Sequence, residues 1–328
     1  MMDADIRRDR RIVVHASDVH PHEANVHLLV CALGYETRSS FIPRKFHARA
    51  SRRVAIAFAD RKVISYSDNQ LFLTQAGFQI FQYERNSFLR RFYAELDEIE
   101  LMHDEPVTRV LVDVSSMSRP MMAQIVVALS RIRGRRPLQV RFVYCPAVFV
   151  QPDPAKAPVA VSEPVIPEFA GWSDTPDRPA AAVFGLGYEY HQALGTLDYL
   201  EPASAWAFIP TGEDNRYDRA VSSANKEMYD LLGAEKIHPY RVDRPHEYYR
   251  IIETLVYGLI QDTRPILIPF GPKVFALVCM LVAQVHTPAV TVWRVSGEQV
   301  AEPSDRVASG KIIGLSVTFQ SVSLAQGS

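Results

Sequence analysis

The sequence has few cysteines and no long apolar segment, and both absences exclude classes of protein. Its 328 residues include three cysteines, Cys31, Cys145 and Cys279, each inside an apolar run and without disulfide spacing. Buried free thiols in a reducing compartment fit this pattern best. No apolar run reaches the roughly 18 residues that a membrane span requires, and the charged start has no signal-peptide pattern behind it. We therefore expect a cytoplasmic protein with no membrane partner.

The chain also lacks an excess of charge of either sign. Its formal net charge is -1, from 36 basic and 37 acidic residues. Such a balance gives no global field for a polyanion, so we expect no direct binding of long DNA or RNA. Basic clusters do occur at residues 7–11 and at Arg131, Arg133, Arg135 and Arg136. They are typical of a solvated surface, although the second cluster could also contact a partner protein.

The sequence motifs of common nucleotide, hydrolase and metal sites are missing. Walker A, the Gly-x-Gly-x-x-Gly fingerprint and the Gly-x-Ser-x-Gly elbow do not occur, and "GLGYEY" (185–190) has only the first two glycines of the fingerprint. His15, His20 and His22 have no Cys or Glu cluster at ligand spacing near them. We predict neither a metal nor a cofactor.

An internal repeat is the most informative feature that the sequence does contain. The segment "VHLLVCALGYETR" (26–38) is similar to "AAAVFGLGYEYH" (180–191), with Gly-Tyr-Glu in both. Two further pairs follow in the same order and at nearly the same offset: 108–129 with 263–284, and 137–146 with 288–297. We interpret this as a tandem duplication. It predicts a first repeat at 1–150, a Pro-rich connector at 151–180, and a second repeat with a C-terminal strand at 181–328.

Both halves alternate short apolar runs with helical patterns, which predicts an α/β fold. Strands are predicted at 27–33, 53–59, 78–83, 109–114 and 139–145, and near 181–186, 205–210, 236–242, 265–269 and 289–295. Helices are predicted at 68–76, 87–101 and 120–133, and near 217–232, 246–261 and 272–286. Right-handed crossovers then give two duplicated Rossmann-like parallel-sheet halves related by a pseudo-two-fold. The alternating tail (310–320) predicts one further strand, which we expect at an edge of a sheet.

The repeated polar loops follow the first and fourth strands of each half. In an open parallel sheet, ligands bind outside the carboxyl ends of the strands, so these loops are the candidate ligand site. The candidates after the first strands are Gly34, Tyr35, Glu36, Arg38, Ser39, Gly187, Tyr188 and Glu189. The candidates after the fourth strands are Asp113, Ser115, Ser116, Ser118, Arg119, Gly271 and Lys273.

These residue types suit a phosphate, but each also has a structural interpretation. Small residues and free N–H groups at a helix start favour an anion, and Arg119 or Lys273 would add a cation. Alternatively, Ser115 or Ser118 caps the helix that begins near Pro120. Asp113 could hold a structural network, and the "GPK" turn at 271–273 could be a plain turn. A pair between Glu36 and Arg38 on the surface would contribute little.

At these loops the chain resembles the CRISPR-associated Rossmann-fold (CARF) sensors and the SAVED domains, which fuse two such units. Those families often carry Asp-x-Thr-Gly-Gly-Thr-Lys after the fourth strand, and "DVSSMSRPMMAQIVVAL" (113–129) has the same layout. The segment "PFGPKVFALVCMLVA" (269–283) keeps a Gly and a Lys but lacks the Asp. The resemblance implies a receptor for a cyclic or linear oligonucleotide, bound in a cleft between the repeats, that acts in antiviral defence. The effector would then be a separate protein, or this fold would itself be the enzyme.

Three functions are open at this point. The first is a nucleotide-binding sensor or regulatory subunit without turnover. The second is an enzyme acting on a nucleotide or nucleoside phosphate, with Glu36 or Glu189 as base or nucleophile and Asp113 as its partner. Arg38, Arg119 and Lys273 would then stabilise charge. The third is a structural subunit that presents surfaces to a partner.

Overall fold

The computed structural model describes residues 10–16, 26–131, 136–152, 159–171, 175–297 and 302–321. The chain divides into two compact units. The first comprises Met1–Met117, Gln124–Val143 and Gly314–Ser328, and the second comprises Ser118–Ala123 and Tyr144–Ile313. The short segment Ser118–Ala123, which contains the predicted cation Arg119, therefore belongs to the second unit.

Thirteen strands lie within the described residues. They are β1 (Arg10–Ala16), β2 (Val26–Leu33), β3 (Ala50–Ala57), β4 (Gln79–Gln82), β5 (Thr108–Asp113), β6 (Leu138–Tyr144), β7 (Val161–Pro164), β8 (Ala180–Gly185), β9 (Ser204–Thr211), β10 (Ile237–Arg241), β11 (Arg264–Pro269), β12 (Thr291–Ser296) and β13 (Ile313–Ser321). They form a seven-stranded sheet, ordered β1-β13-β6-β5-β2-β3-β4, and a six-stranded sheet, ordered β10-β9-β8-β11-β12-β7.

The described helices lie between successive parallel strands, where crossover connections are expected. They are α1 (Phe41–Phe46), α2 (Tyr66–Gln75), α3 (Arg85–Met102), α4 (Arg119–Arg131), α5 (Gln192–Leu200), α6 (Asn215–Ala224), α7 (Lys226–Leu232), α8 (Pro245–Leu259) and α9 (Lys273–Val285). The predicted helix 217–232 is in fact two helices, α6 and α7, which meet at Asn225. No helix in the described part of the chain combines the length and the apolar character needed to cross a membrane.

Five consecutive strands of each sheet are parallel and have the same order, β6-β5-β2-β3-β4 in the first and β12-β11-β8-β9-β10 in the second. In the first unit β2 pairs in parallel with β3 and β5, and these pair with β4 and β6. In the second unit β8 pairs in parallel with β9 and β11, and these pair with β10 and β12. The α/β fold with two Rossmann-like sheets is confirmed. The duplication and the pseudo-two-fold stay predictions, although one shared strand order is what a duplication would produce.

Continuous apolar runs form the central strands because helices can cover both faces of a parallel sheet. Seven of the eight β2 residues are buried. Helix α9 is buried from Val274 to Gln284, so it packs within the core and not as a half-exposed crossover. These buried elements place the ends of β2, β5, β8 and β11 on rigid supports.

The C-terminal strand differs from the prediction in its partner. The sequence assigned 310–320 to an edge of the second half, but β13 lies between β1 and β6 in the sheet of the first unit. Leu315, Val317 and Phe319 are all buried there. Their alternation predicts a strand with one buried face, but it carries no information about which sheet supplies the neighbours.

The connector at 151–180 contains the edge pairing that its composition suggests. Strand β7 pairs antiparallel with β12 at the edge of the second sheet, and a short 3₁₀ turn follows at Pro167–Phe169. Residues 153–158 and 172–174 of this connector lie outside the described residues, as do Arg133 and Arg135 of the basic cluster.

Candidate functional site

The candidate residues lie at the point of each sheet where the strand order reverses. In the first unit this point is between β2 and β5, and in the second unit it is between β8 and β11. At such a point, the connections that follow the two neighbouring strands run to opposite faces of the sheet. This leaves a crevice at the carboxyl ends of the two strands.

In the first unit, the loops after β2 and β5 contact each other through Glu36. Ser116 Oγ donates to Glu36 Oε2 at 3.2 Å, and Arg38 Nε donates to the same oxygen at 2.8 Å. The Arg38 side chain is 7% exposed and that of Glu36 is 16% exposed. This is a partly buried, charge-assisted arrangement, unlike the exposed surface pair that the sequence allowed.

Asp113 and Ser115 turn inward at the tip of β5. Asp113 Oδ1 accepts a hydrogen bond from the Ser115 amide at 2.9 Å and from Ser115 Oγ at 2.5 Å. Asp113 is 2% exposed and Ser115 is fully buried. This geometry favours the structural-network interpretation of Asp113, because the side chain is buried and its Oδ1 already accepts two hydrogen bonds from Ser115.

A buried asparagine that the sequence analysis missed holds the first loop in place. Asn69 Nδ2, on α2, donates to the carbonyl oxygens of Gly34 at 3.0 Å and Glu36 at 2.9 Å. Ser39 Oγ donates to the Ala32 carbonyl at 2.8 Å and accepts from the Gly34 amide at 3.0 Å. Ser39 is therefore part of the loop's scaffold.

The same type of residue holds the corresponding loop in the second unit. Asn225 Nδ2, at the junction of α6 and α7, donates to the carbonyl oxygens of Gly187 at 2.7 Å and Val221 at 2.8 Å. Asn69 and Asn225 are both buried and both bind the carbonyl of the glycine in a Gly-Tyr-Glu loop. Both asparagines fall inside the helices that the sequence predicts at 68–76 and 217–232, and this was the available signal, since asparagine is a weak helix former.

The two glutamates of the Gly-Tyr-Glu loops have different surroundings. Glu189 folds back over Gly187, where any Cβ would overlap its Oε2. This Oε2 is buried and has no hydrogen-bond partner among the described residues. Burial raises the pKa of Glu189, and the nearby positive charges of Arg119 and Arg306 oppose that shift. Glu36 instead receives two hydrogen bonds, so the two carboxylates are not chemically equivalent.

Ser118 directly precedes α4 and Arg119 is its first residue, and the two have separate roles. Ser118 Oγ accepts from the Met121 amide at 3.3 Å, which is the helix-capping role that the sequence allowed. Arg119 Nη2 donates to the Phe270 carbonyl at 2.9 Å, at the end of β11. The Arg119 Nε–H is buried and has no partner among the described residues. The Arg119 guanidinium thus lies at the reversal point of the second sheet, and its Nε–H has no acceptor among the described residues.

Gly271 brings the ends of β8 and β11 close together. A Cβ at position 271 would lie 2.6 Å from the Leu186 carbonyl oxygen, which only glycine avoids. The amides of Phe270 and Gly271 both donate to the Gly185 carbonyl, at 2.8 and 3.0 Å. The Tyr240 hydroxyl lies 3.4 Å from the same Cβ position. Lys273, at the start of α9, is half-buried.

Tyr188 lies in a largely apolar environment next to Glu189. Burial raises its pKa to about 12, and the charge of Glu189 acts in the same direction. Its ring is 6.2 Å from that of Tyr217, measured between centroids. This ring packs against protein, which agrees with loop packing better than with base stacking in the arrangement described.

No group of three or more His, Cys, Asp or Glu residues suited to a metal ion occurs within the described ranges. A groove of about 520 Å³ lies in the second unit at the start of β9, the end of that strand opposite to the candidate loops. Its walls are formed by Leu197, Asp198, Glu201, Pro202, Ala203, Ser204, Ala205, Leu231, Leu232 and Lys236. None of the candidate residues lines this groove.

Comparison with protein-family models and with curated proteins finds no match for this chain. The resemblance to CARF and SAVED proteins therefore stays a prediction from the residues at 113–129 and 269–283.

Proposed function

We propose that this chain is a nucleotide-binding sensor or regulatory subunit whose ligand binds at the strand ends described above. One observation carries the proposal: in each unit, the loops that the sequence selects lie at the reversal point of the strand order. Ser116 and Glu36 meet there in the first unit, and Gly187, Gly271 and Arg119 lie there in the second. Reversal points are where open α/β sheets bind nucleotides.

The second unit offers the better chemistry for a phosphate. Arg119 presents an unpartnered Nε–H, and guanidinium groups bind phosphate oxygens through several donors in one plane. Gly271 keeps the backbone free of side-chain bulk at the same place. The resemblance to CARF and SAVED sensors extends the proposal to a cyclic oligonucleotide, antiviral defence and a separate effector protein. That one ligand spans both halves stays a prediction of the sequence.

A panel of mononucleotides and of linear and cyclic oligonucleotides tests this function. We expect at least one to raise the melting temperature without being converted to product. Arg119→Ala should then weaken binding by about 1–3 kcal/mol, because it removes a charge-assisted hydrogen bond in a buried site. The matched control is Arg131→Ala, at the exposed opposite end of α4. An affinity that Arg119→Ala leaves unchanged would argue against the proposal.

An enzyme acting on a nucleotide or nucleoside phosphate is the second candidate. The raised pKa of Glu189 favours it, since a carboxyl that holds its proton nearer to neutral pH can act as a general acid. The inward bonds of Asp113 do not favour a role as its catalytic partner. A chromatographic assay of product distinguishes this candidate from the sensor. The assay compares the wild type with Glu36→Gln and Glu189→Gln. Turnover that either substitution abolishes would identify an enzyme.

A further inference from the structure

Two segments pair to form a strap in the second unit, defined here as residues 146–149 and 306–311. The Val148 amide donates to the Val307 carbonyl, and the Ser309 amide donates to the Pro146 carbonyl, both at 2.9 Å. Ala147 and Ala308 form an antiparallel bridge between these bonds. The strap is therefore a small ribbon outside the six-stranded sheet.

The strap crosses the carboxyl ends of three neighbouring strands. Lys311 Nζ binds Glu213 Oε1 at 2.6 Å, just after β9, and Asp243 Oδ2 at 3.2 Å, just after β10. Arg306 acts electrostatically on Glu189, just after β8. Tyr217, on α6, adds a third hydrogen-bond contact by donating its hydroxyl to the Ala147 carbonyl at 3.1 Å. The strap thus lies on the side of the sheet formed by the carboxyl ends of its parallel strands, where the ligand is proposed to bind.

Three polar groups at these strand ends are buried without partners among the described residues. They are Arg119 Nε, Glu189 Oε2 and the Tyr240 hydroxyl. Tyr240 is 4% exposed, so water does not replace the missing partner at its surface. Phe270 and Gly271 connect the group, since Arg119 binds the first and the Tyr240 hydroxyl lies next to the second. A buried hydroxyl or guanidinium N–H without a partner costs about 1–3 kcal/mol, so such a cluster calls for an explanation.

We propose that this cluster is a phosphate site in its closed state, and that the strap is the lid that a ligand must displace to reach Arg119 and Tyr240. This inference rests on the proposed function and names a ligand group and a control element for it. The ligand's phosphate oxygens accept hydrogen bonds from the Arg119 Nε–H and the Tyr240 hydroxyl. Burial favours the neutral form of Glu189, whose O–H can donate as well.

The contacts of the strap make it suited to opening. Its ion pairs are at least partly exposed, with 73% exposure of the Glu213 side chain, and exposed pairs contribute little stability. The strap's other contacts include the two backbone bonds, the Tyr217 bond and the Phe149 ring, which lies edge-on to the Tyr217 ring and beneath the Arg216 guanidinium. Every residue of the strap is exposed or only partly buried, and an element with so little buried surface lies at the low end of local stability in a folded protein.

Four tyrosine-to-phenylalanine variants test the lid and the site without changing charge. Tyr217→Phe removes the hydroxyl that donates to the Ala147 carbonyl of the strap, and Tyr199→Phe, at an exposed position on α5, is its control. Tyr240→Phe removes the unpartnered hydroxyl at Gly271. Tyr248→Phe is its control, because Tyr248 is also buried with an unpartnered hydroxyl and its ring centroid lies 4.6 Å from that of Tyr240.

Inorganic pyrophosphate is the probe, with affinity measured by calorimetry and strap opening by hydrogen exchange of the Val148 and Ser309 amides. We expect Tyr217→Phe to speed this exchange and to raise pyrophosphate affinity about two- to tenfold, the range of one net hydrogen bond. Tyr240→Phe should lower the affinity about tenfold or more while leaving the melting temperature of the free protein unchanged or higher. Tyr199→Phe and Tyr248→Phe should match wild type in binding.

The possible failures are distinguishable. If Tyr217→Phe changes neither exchange nor affinity, the strap is not a lid. If Tyr240→Phe and Tyr248→Phe bind pyrophosphate alike, the cluster is not the site. Either result overturns this inference while nucleotide binding by the wild type keeps the proposed function. If no variant and no wild-type protein binds pyrophosphate or any nucleotide of the panel, both proposals are overturned.

Discussion

At the residue scale, two buried asparagines determine the shape of the candidate loops. Once a strand ends, its last carbonyl groups have no sheet neighbour and need another donor if they are buried. Asn69 supplies that donor to Gly34 and Glu36, and Asn225 supplies it to Gly187. The loops can therefore present small or charged residues without leaving their own backbone unsatisfied.

Removing either amide should destabilise the unit that contains it. We expect Asn69→Ala and Asn225→Ala each to lower the free energy of unfolding by about 1–3 kcal/mol, because buried carbonyl groups lose their donor. Urea unfolding measures the loss. Asn215→Ala, at an exposed position on α6, is the control and should stay within about 0.5 kcal/mol of wild type. Equal behaviour of Asn69→Ala and this control would show that the loop does not depend on the amide.

Sequence reasoning found the residues that define the loops but not those that support them. Glu36 and Ser116 were selected because they follow predicted strands, and they do meet. Asn69 and Asn225 were not selected, since a buried amide and an exposed one look alike in a single sequence. The unequal roles of Glu36 and Glu189 were equally invisible, because both stand in the same Gly-Tyr-Glu pattern.

At the element scale, the close approach of β8 and β11 depends on Gly271. We expect Gly271→Ala to lower the free energy of unfolding by about 1–3 kcal/mol, because its Cβ would lie 2.6 Å from the Leu186 carbonyl oxygen and push the strand ends apart. Thermal or urea unfolding measures this. Gly258→Ala, on α8, should instead stabilise the protein by up to about 1 kcal/mol.

Gly258 serves as the control because it lies in helix α8 with free space at its Cβ position, whereas Gly271 lies in the turn before α9 against the Leu186 carbonyl. A Cβ at position 258 meets no atom within 4 Å, so the substitution there changes helix propensity alone. If Gly271→Ala were as well tolerated as Gly258→Ala, the tight approach of the two strand ends would not be required for the fold.

Elements with a continuous apolar run were predictable, and short helices after loops were not. The buried parallel strands are the runs that the sequence shows, with ends shifted by a few residues. Helices α1 and α5 were missed because they contain Pro43 and Gly195, residues that disfavour helix interiors. Both helices directly follow a candidate loop, so their packing against the sheet, which no local pattern reveals, outweighs their weak propensity.

At the scale of the whole molecule, the first unit is assembled from distant parts of the chain. Its seven-stranded sheet contains β13, which follows every strand of the second sheet in sequence. Strands β6 and β13 are neighbours in this sheet, although more than 150 residues separate them in the sequence. Pairings of such separation form slowly in folding, because loop closure costs entropy before any contact is gained.

A substitution in β13 should therefore act on the first unit, although β13 follows the second sheet in the chain. Phe319 is fully buried in β13 opposite Ile12 of β1. We expect Phe319→Ala to cost about 3–5 kcal/mol, as for other buried phenylalanines, and to speed hydrogen exchange in β2 and β5 more than in β8 and β11. Val307→Ala, at an exposed position between β12 and β13, is the control. Faster exchange in β8 and β11 than in β2 and β5 would mean that the C-terminal strand stabilises the second sheet, as the sequence alone had predicted.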